Sequence, residues 1–306
     1  MKTRRALPGL LIATVLLYES AAAPRLAASA DNAPQRIVST TPGITEILYA
    51  LGLGDRVAGV TRFCHYPPEA RLKPKIGDFI NPNLEAIAAL KPDLVIVETN
   101  PVRLAERLNA LHLRTLEIDQ QDVAAIDHSI RAIGAAAGVS QRAEQLTESI
   151  RAGLDGVRAQ SARLKAPRVM FVVGRMSGRL DGLVVVGRAS YLNEVIRIAG
   201  GENVFRDALA AYPQVSMEEV MARNPEVILD MGEMSDSGVV TERQQRETVA
   251  LWTRRLPSLH AVKQHSVFPI VSEMYVIPGP RVVDAAHAIF AMLHPSAEKS
   301  GGAGAK

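Results

Sequence analysis

A proline-free stretch from Ser140 to Leu164 divides this chain into two halves and limits the folds open to it. Its apolar residues Ala143, Leu146, Ile150, Leu154 and Val157 fall on one helical face. Ser140 stands as a candidate N-cap and Pro167 closes the segment. A helix of about 25 residues is about 37 Å long, enough to cross a small domain. A rod of that length between two folded halves reads as a strut.

Both halves alternate short apolar strands with helices. In the first, Arg36 to Ser39, Val57 to Val60, Asp93 to Val97 and Thr115 to Ile118 read as strands. Helices are expected over Pro42 to Leu51, Asn83 to Leu90, Pro101 to Leu111 and Asp122 to Ala137. The run Leu94-Val95-Ile96-Val97 is continuously apolar, as a strand must be when helices cover both sheet faces. A polar and aromatic loop spans Thr61 to Pro82. In the second half, strands are expected over Arg168 to Val173, Glu226 to Asp230 and Ser266 to Val271. Helices are expected over Ser190 to Ala199, Ser216 to Ala222, Thr241 to Leu251 and Gly279 to Leu293, with Pro280 in the first turn of the last. The pattern is α/β throughout, two doubly wound lobes about one helix.

The N-terminus reads as an export leader. Lys2, Arg4 and Arg5 precede an apolar run from about Ala6 to Leu17, and Ala28-Ser29-Ala30 offers a cleavage site. The organisation expected is a leader over 1–30, an α/β lobe over 31–138, a connecting helix over 139–166, a second lobe over 167–295 and a disordered tail over 296–306. The whole chain holds 35 basic against 32 acidic residues. Without the leader the two signs balance, so no basic surface for nucleic acid is implied. The single cysteine, Cys64, admits no internal disulfide. No cysteine follows the leader to carry lipid, which points to a freely soluble protein held in a Gram-negative periplasm. No Gly-rich phosphate loop or G-x-S-x-G elbow is present, and the seven histidines lack the spacing of a bare-metal carrier. The chemistry expected is binding, with no catalysis, and the protein is expected to be a monomer.

Several runs then carry a resemblance. They are Arg36 to Glu46 (RIVSTTPGITE), Val60 to Ala70 (VTRFCHYPPEA), Gly77 to Val97 (GDFINPNLEAIAALKPDLVIV), Ser190 to Phe205 (SYLNEVIRIAGGENVF), Tyr212 to Leu229 (YPQVSMEEVMARNPEVIL) and Pro278 to Asp284 (PGPRVVD). In this order they resemble the helical-backbone, class III substrate-binding proteins that deliver cobalamin, iron-siderophores or haem to ABC importers. The YPP and YPQVS runs are most similar to the cobalamin-binding members. The resemblance implies two Rossmann-like lobes with parallel sheets, a single hinge helix, a ligand cleft between the lobes and little closure on binding. It implies no cofactor beyond the cobalt- or iron-containing cargo itself. It also implies partner permease subunits in the membrane, met by one glutamate on each lobe; Glu85 and Glu218 match those positions, with Glu219 adjacent.

The ligand face is read from aromatics, which make up only 4% of the chain. Phe63 and Phe79 stand in loops at the mouth of the first lobe and Tyr212 at that of the second, where ligands of open α/β sheets bind. Their faces suit a large flat cargo such as a corrin or porphyrin. Cys64, His65, Tyr66 and Tyr275 are candidate metal contacts, and Arg62 and Arg281 candidate anion contacts. Glu273 matches an acidic position of the family, whereas Ile277 stands where the resemblance implies an arginine. The one tryptophan outside any leader, Trp252, is expected to pack on a helix of the second lobe.

Overall fold

The computed structural model describes residues 33–99, 103–232, 241–270 and 272–296; the proposed leader and nearly all of the tail lie outside them. The first lobe runs β1 (Ile37–Ser39), α1 (Pro42–Ala50), β2 (Val57–Gly59), α2 (Leu84–Ala89), β3 (Leu94–Glu98), α3 (Leu104–Asn109), β4 (Thr115–Ile118) and α4 (Val123–Ala136). Its sheet has the order β2-β1-β3-β4, and every pairing is parallel. On β3, Leu94 and Ile96 join one core cluster while Val95 and Val97 join another. Successive side chains of a strand point to opposite faces, so the apolar run reflects a sheet covered on both sides.

The connecting helix α5 (Ser140–Ser161) has 22 residues. It is shorter than expected at its far end, where the Ser161 hydroxyl donates to the carbonyls of Arg158 and Ile198. Ser140 is not its cap. The turn from α4 is so tight that Val139 occupies the cap position, its amide bonded to the Gly134 carbonyl at 2.7 Å. The helix is held by close packing on both sides. A β-carbon on Gly134 would lie 2.3 Å from that of Ala143, and one on Gly153 would lie 2.6 Å from the Val283 side chain. Small residues thus let α4 and the last helix of the chain press against α5.

The second lobe runs β5 (Arg168–Gly174), β6 (Leu183–Val185), α6 (Tyr191–Ile198), β7 (Glu202–Asn203), β8 (Gln214–Val215), α7 (Met217–Arg223), β9 (Val227–Asp230), α8 (Glu242–Arg255), α9 (His260–Lys263), β10 (Val267–Pro269) and α10 (Val282–Leu293). Strands β5, β7, β9 and β10 pair in parallel, but β6 and β8 add an antiparallel edge. These strands of two or three residues are too short to show a period in sequence. Helix α10 starts at Val282, because residues 278–281 form a turn closed by the Val282 amide on the Gly279 carbonyl. Pro280 therefore precedes the helix. On β5, Val169, Phe171 and Val173 face one cluster and Met170 and Val172 the other, so this sheet too is covered on both faces.

One core cluster is continuous across the hinge. It takes in the inner faces of both sheets together with α1, α4, α5, α6 and α10. Trp252 belongs to the outer cluster of the second lobe, fully buried, and its indole N–H donates to Asp230 at 2.7 Å. Asp230 also pairs with Arg175 at 3.1 Å and accepts the Gly232 amide, which fixes the loop leaving β9.

Candidate functional site

The carboxyl ends of the strands direct their loops toward the space between the lobes. In the first lobe, β1 leads through the N-cap Thr41 into α1. A β-carbon on Gly43 would sit 2.4 Å from the Pro278 carbonyl of the second lobe. The end of β4 leads to Gln120, whose amide donates to the same carbonyl at 2.7 Å. Beside it, the first amide of α4 points at Glu194 of α6, 3.4 Å away.

Four polar side chains and one ring complete this floor. Arg281 donates to both carboxylate oxygens of Glu46, at 2.9 Å through Nε. It also meets Glu273 at 3.5 Å and lies 4.1 Å over the Tyr66 ring. Glu273 in turn accepts from His65 Nδ1 at 3.1 Å. Glu46 and His65 come from the first lobe, and Glu273 and Arg281 from the second. The Glu46 side chain is 2% exposed and that of Arg281 14%. Burial pushes the Glu46 carboxyl above the usual glutamate value, against the pull of the guanidinium. The result is a desolvated, bidentate clamp between the lobes.

This geometry revises three of the expected ligand contacts. Arg281 is committed to Glu46 and is not free to hold an anionic cargo. Cys64 is fully buried in the core, where the hydroxyls of Thr45 and Thr61 lie 3.1 Å from its sulfur and burial pushes the thiol up. A neutral, enclosed thiol does not reach cargo metal. Tyr275 is 5% exposed, set edge-on to Phe171 at 5.9 Å, with burial raising its hydroxyl. Its carbonyl accepts the Tyr191 hydroxyl, so the residue braces the hinge side of the second lobe. His65 faces Glu273, the opposite way from its neighbour Cys64.

The aromatic pair does come together. Phe63 and Phe79 lie 5.8 Å apart with their rings inclined at 60°. The loop that carries them is tied to the sheet edge by the Arg62 amide on Gly77 and the Ile76 amide on Val60. Asp78 accepts the amides of Asn81 and Ile80 and pairs with Arg62 at 3.3 Å, and these partners hold its carboxyl below the usual range. Phe79 remains 45% exposed and Tyr212, on the second lobe, 42%. The Tyr212 loop is pinned by the amides of Gly187 and Arg188 on the carbonyls of Ala211 and Ala208. Burial raises the Tyr212 hydroxyl, and the charge of Glu98 raises it further.

Glu46, Glu98, Asp119 and Tyr191 were not singled out in the sequence. Glu98 ends β3, between β1 and β4, whose own ends both touch the second lobe. Its carboxyl is raised by burial and then by Asp119. A raised folded-state value means the folded chain holds this proton more tightly than the unfolded one. Glu98 thus favours folding in acid, and that advantage is lost as pH rises from the ordinary value of 4.5 through the folded one. Glu98→Gln is expected to raise Tm at pH 7.5 by about 2 °C, the response to a change of about 1 kcal/mol. Melting curves should show the gain vanish near pH 4; a gain independent of pH contradicts the assignment.

Glu85 and Glu218 both lie exposed in first turns, of α2 capped by Asn83 and of α7 capped by Ser216. Among the described residues neither has an ion-pair partner. Glu219 is exposed as well, but its carboxylate accepts the Ser216 amide at 2.9 Å and closes a capping box. A recess on the outer face of α8, lined by Gln245, Arg246, Val249, Thr253 and Pro269, involves none of these residues.

Comparison with known proteins agrees with this architecture. Residues 37–273 match the family described as periplasmic binding protein. The chain belongs to that family. A vitamin B12-binding protein of Pectobacterium atrosepticum is 27% identical over 270 residues, covering 88% of this chain and 91% of the relative. An uncharacterized ABC transporter substrate-binding lipoprotein of Bacillus subtilis is 28% identical over 271 residues, covering 87% and 82%. Among solved structures, the periplasmic vitamin B12 binding protein of Vibrio cholerae superposes with a TM-score of 0.72 at 27% identity, covering 87% of this chain and 98% of that one. The periplasmic heme-binding protein of Roseiflexus gives the same TM-score and identity, covering 86% and 99%. This family member thus shares its fold with a vitamin B12 binding protein and with a heme-binding protein.

Proposed function

We propose that the chain is the solute-binding component of an ABC importer, working outside the cytoplasmic membrane in the periplasm. It takes a bulky metal-containing cargo, a corrinoid first, between its lobes and presents it to the permease. The observation that carries this reading is the pairing of Phe63 with Phe79 on one lobe and the exposed Tyr212 on the other, with Glu46 and Arg281 joining the two lobes. Aromatic faces at a mouth of this kind bury large area at small entropic cost, which suits a flat ring. The vitamin B12-binding relatives support a corrinoid. The heme-binding neighbour at equal identity supports haem as the second reading, and a ferric siderophore would use the same faces.

The pinned floor and the packed hinge helix also support a carrier that closes little on its cargo. No bond is made or broken in this role. The test is titration of residues 31–306 with cobalamin, cobinamide, haemin and ferric siderophores, followed by visible absorbance and Trp252 fluorescence. One cargo should bind saturably and be recovered unchanged. Phe63→Ala and Tyr212→Ala should each weaken it by about 1–2 kcal/mol, roughly 5- to 30-fold. Full affinity in both variants removes the aromatic assignment, and chemically altered cargo removes the carrier reading.

A further inference from the structure

The loop from Thr61 to Pro82 carries Phe63 and Phe79 and is bound to its own lobe by backbone contacts, the Arg62 amide on the Gly77 carbonyl and the Ile76 amide on the Val60 carbonyl. Two adjacent side chains of the same loop reach the other lobe instead. His65 Nδ1 lies 3.1 Å from Glu273, the first residue of a helical turn over Glu273–Tyr275, and the Tyr66 ring lies 4.1 Å from the Arg281 guanidinium. Glu273 and Arg281 meet each other at 3.5 Å. His65 stands two positions after Phe63, so a tie at the imidazole restrains the backbone that carries this aromatic. The His65 and Glu273 side chains are each 27% exposed, shielded from full screening yet open to solvent protons. Around them, Arg281 is held by Glu46, whose carboxyl also feels the charge of Asp284. Arg71 donates to the His65 carbonyl at 3.1 Å, and Lys75 donates to the Ala70 carbonyl at 3.1 Å. Of these side chains only the imidazole is of the type that changes charge between pH 5 and 8.

Resting on the reading of the cleft as the cargo site, we infer that His65 is a positioning residue: through Glu273 it fixes the aromatic loop against the second lobe, and cargo affinity rises as His65 takes up a proton. With the imidazole protonated, the contact is a charge-assisted hydrogen bond, roughly twice as strong as the neutral one that remains when the proton is lost. A loop already held in place loses less freedom when cargo arrives, so the stronger tie favours binding. The coupling is reciprocal. Bound cargo favours the pair, and binding therefore takes up protons in the range where His65 titrates. His65 does this without touching the cargo, which separates it from a metal contact.

Cyanocobalamin, which carries no group that titrates between pH 5.5 and pH 8, is the first probe. Over that range its affinity for the wild type should fall about fivefold as pH rises, the loss of one charge-assisted contact. Calorimetry in two buffers of different ionisation enthalpy should show proton uptake on binding. Glu273→Gln should flatten the profile although His65 is still present, and His65→Gln should flatten it at the weaker affinity. His65→Lys keeps a positive charge at this position and should hold the tighter affinity across the range. All three variants should melt cooperatively, and the visible spectrum of bound cyanocobalamin should be the same in all four proteins. A wild-type affinity independent of pH overturns the inference and leaves the carrier reading intact. A profile that survives in Glu273→Gln also overturns it, because His65 would then act on the cargo itself. If cyanocobalamin does not bind, the corrinoid reading fails by itself, and haemin takes its place, each variant being compared with the wild type at equal pH. If neither ring binds, the reading of the cleft fails and the inference falls with it.

Discussion

Replacing Arg281 by methionine is expected to lower Tm by roughly 6–20 °C at pH 7.5. The variant keeps an unbranched apolar stem and removes the charge, which leaves Glu46 almost fully buried with no counter-charge. Breaking a buried pair in this way costs about 3–5 kcal/mol, and about 1 kcal/mol moves Tm by 2–4 °C in a domain of 150–250 residues. The loss should depend on pH. Without the guanidinium, the folded-state value of Glu46 rises further, and the variant is penalised most where the carboxyl must ionise. The deficit should therefore be largest above neutrality and shrink as pH falls toward the ordinary glutamate value. Replacing both partners, Glu46→Leu with Arg281→Met, should recover much of the loss, because an apolar pair of similar volume avoids desolvating two charges. Calorimetry of the three variants checks this. A Tm for Arg281→Met within 2 °C of wild type would mean that the clamp does not hold the lobes.

Reversing charge at the two exposed glutamates should separate delivery from binding. The pair Glu85→Lys and Glu218→Lys alters side chains that meet no ion-pair partner among the described residues, one on each lobe and both at capped helix starts. Local cost is small, about 0.3–1 kcal/mol each, from placing a cation near the positive end of a helix dipole. If these residues face arginines of a permease, each reversal creates a like-charge contact worth several kcal/mol. Uptake by cells carrying the double variant should fall by about 100-fold or more, with cargo affinity within about twofold of wild type. Each single variant should fall in between. Uptake that survives the double reversal removes the docking assignment, whereas lost cargo affinity would place these residues in the binding site.

The parts of this structure that could be read in the sequence are those set by neighbours along the chain. The continuous run of β3 and the one-faced periodicity of α5 express local geometry, and both appear. Phe63 and Phe79 were also legible, since both stand in one loop. The failures come from contacts distant in sequence. Glu46 lies off the apolar face of α1 marked by Ile44, Ile47 and Leu48, and periodicity alone makes it exposed. It is buried because α1 has two neighbours, the sheet and the second lobe. Its partner Arg281 lies 235 positions away, so nothing near either residue announces the pair. Tyr275 and Cys64 were drawn toward the ligand by their chemistry, but burial decided against both. A residue type shows what a side chain can do, and only its surroundings show whether it reaches the cargo.

The most direct measurement is a crystal structure of residues 31–306 soaked with the cargo that binds most tightly. The ring should lie between the lobes, in contact with Phe63 and Phe79 on one face and Tyr212 on the other, with the Glu46–Arg281 pair still formed beneath it. A ring bound elsewhere on the surface, or lobes that meet so that these three side chains pack against one another, would contradict the account.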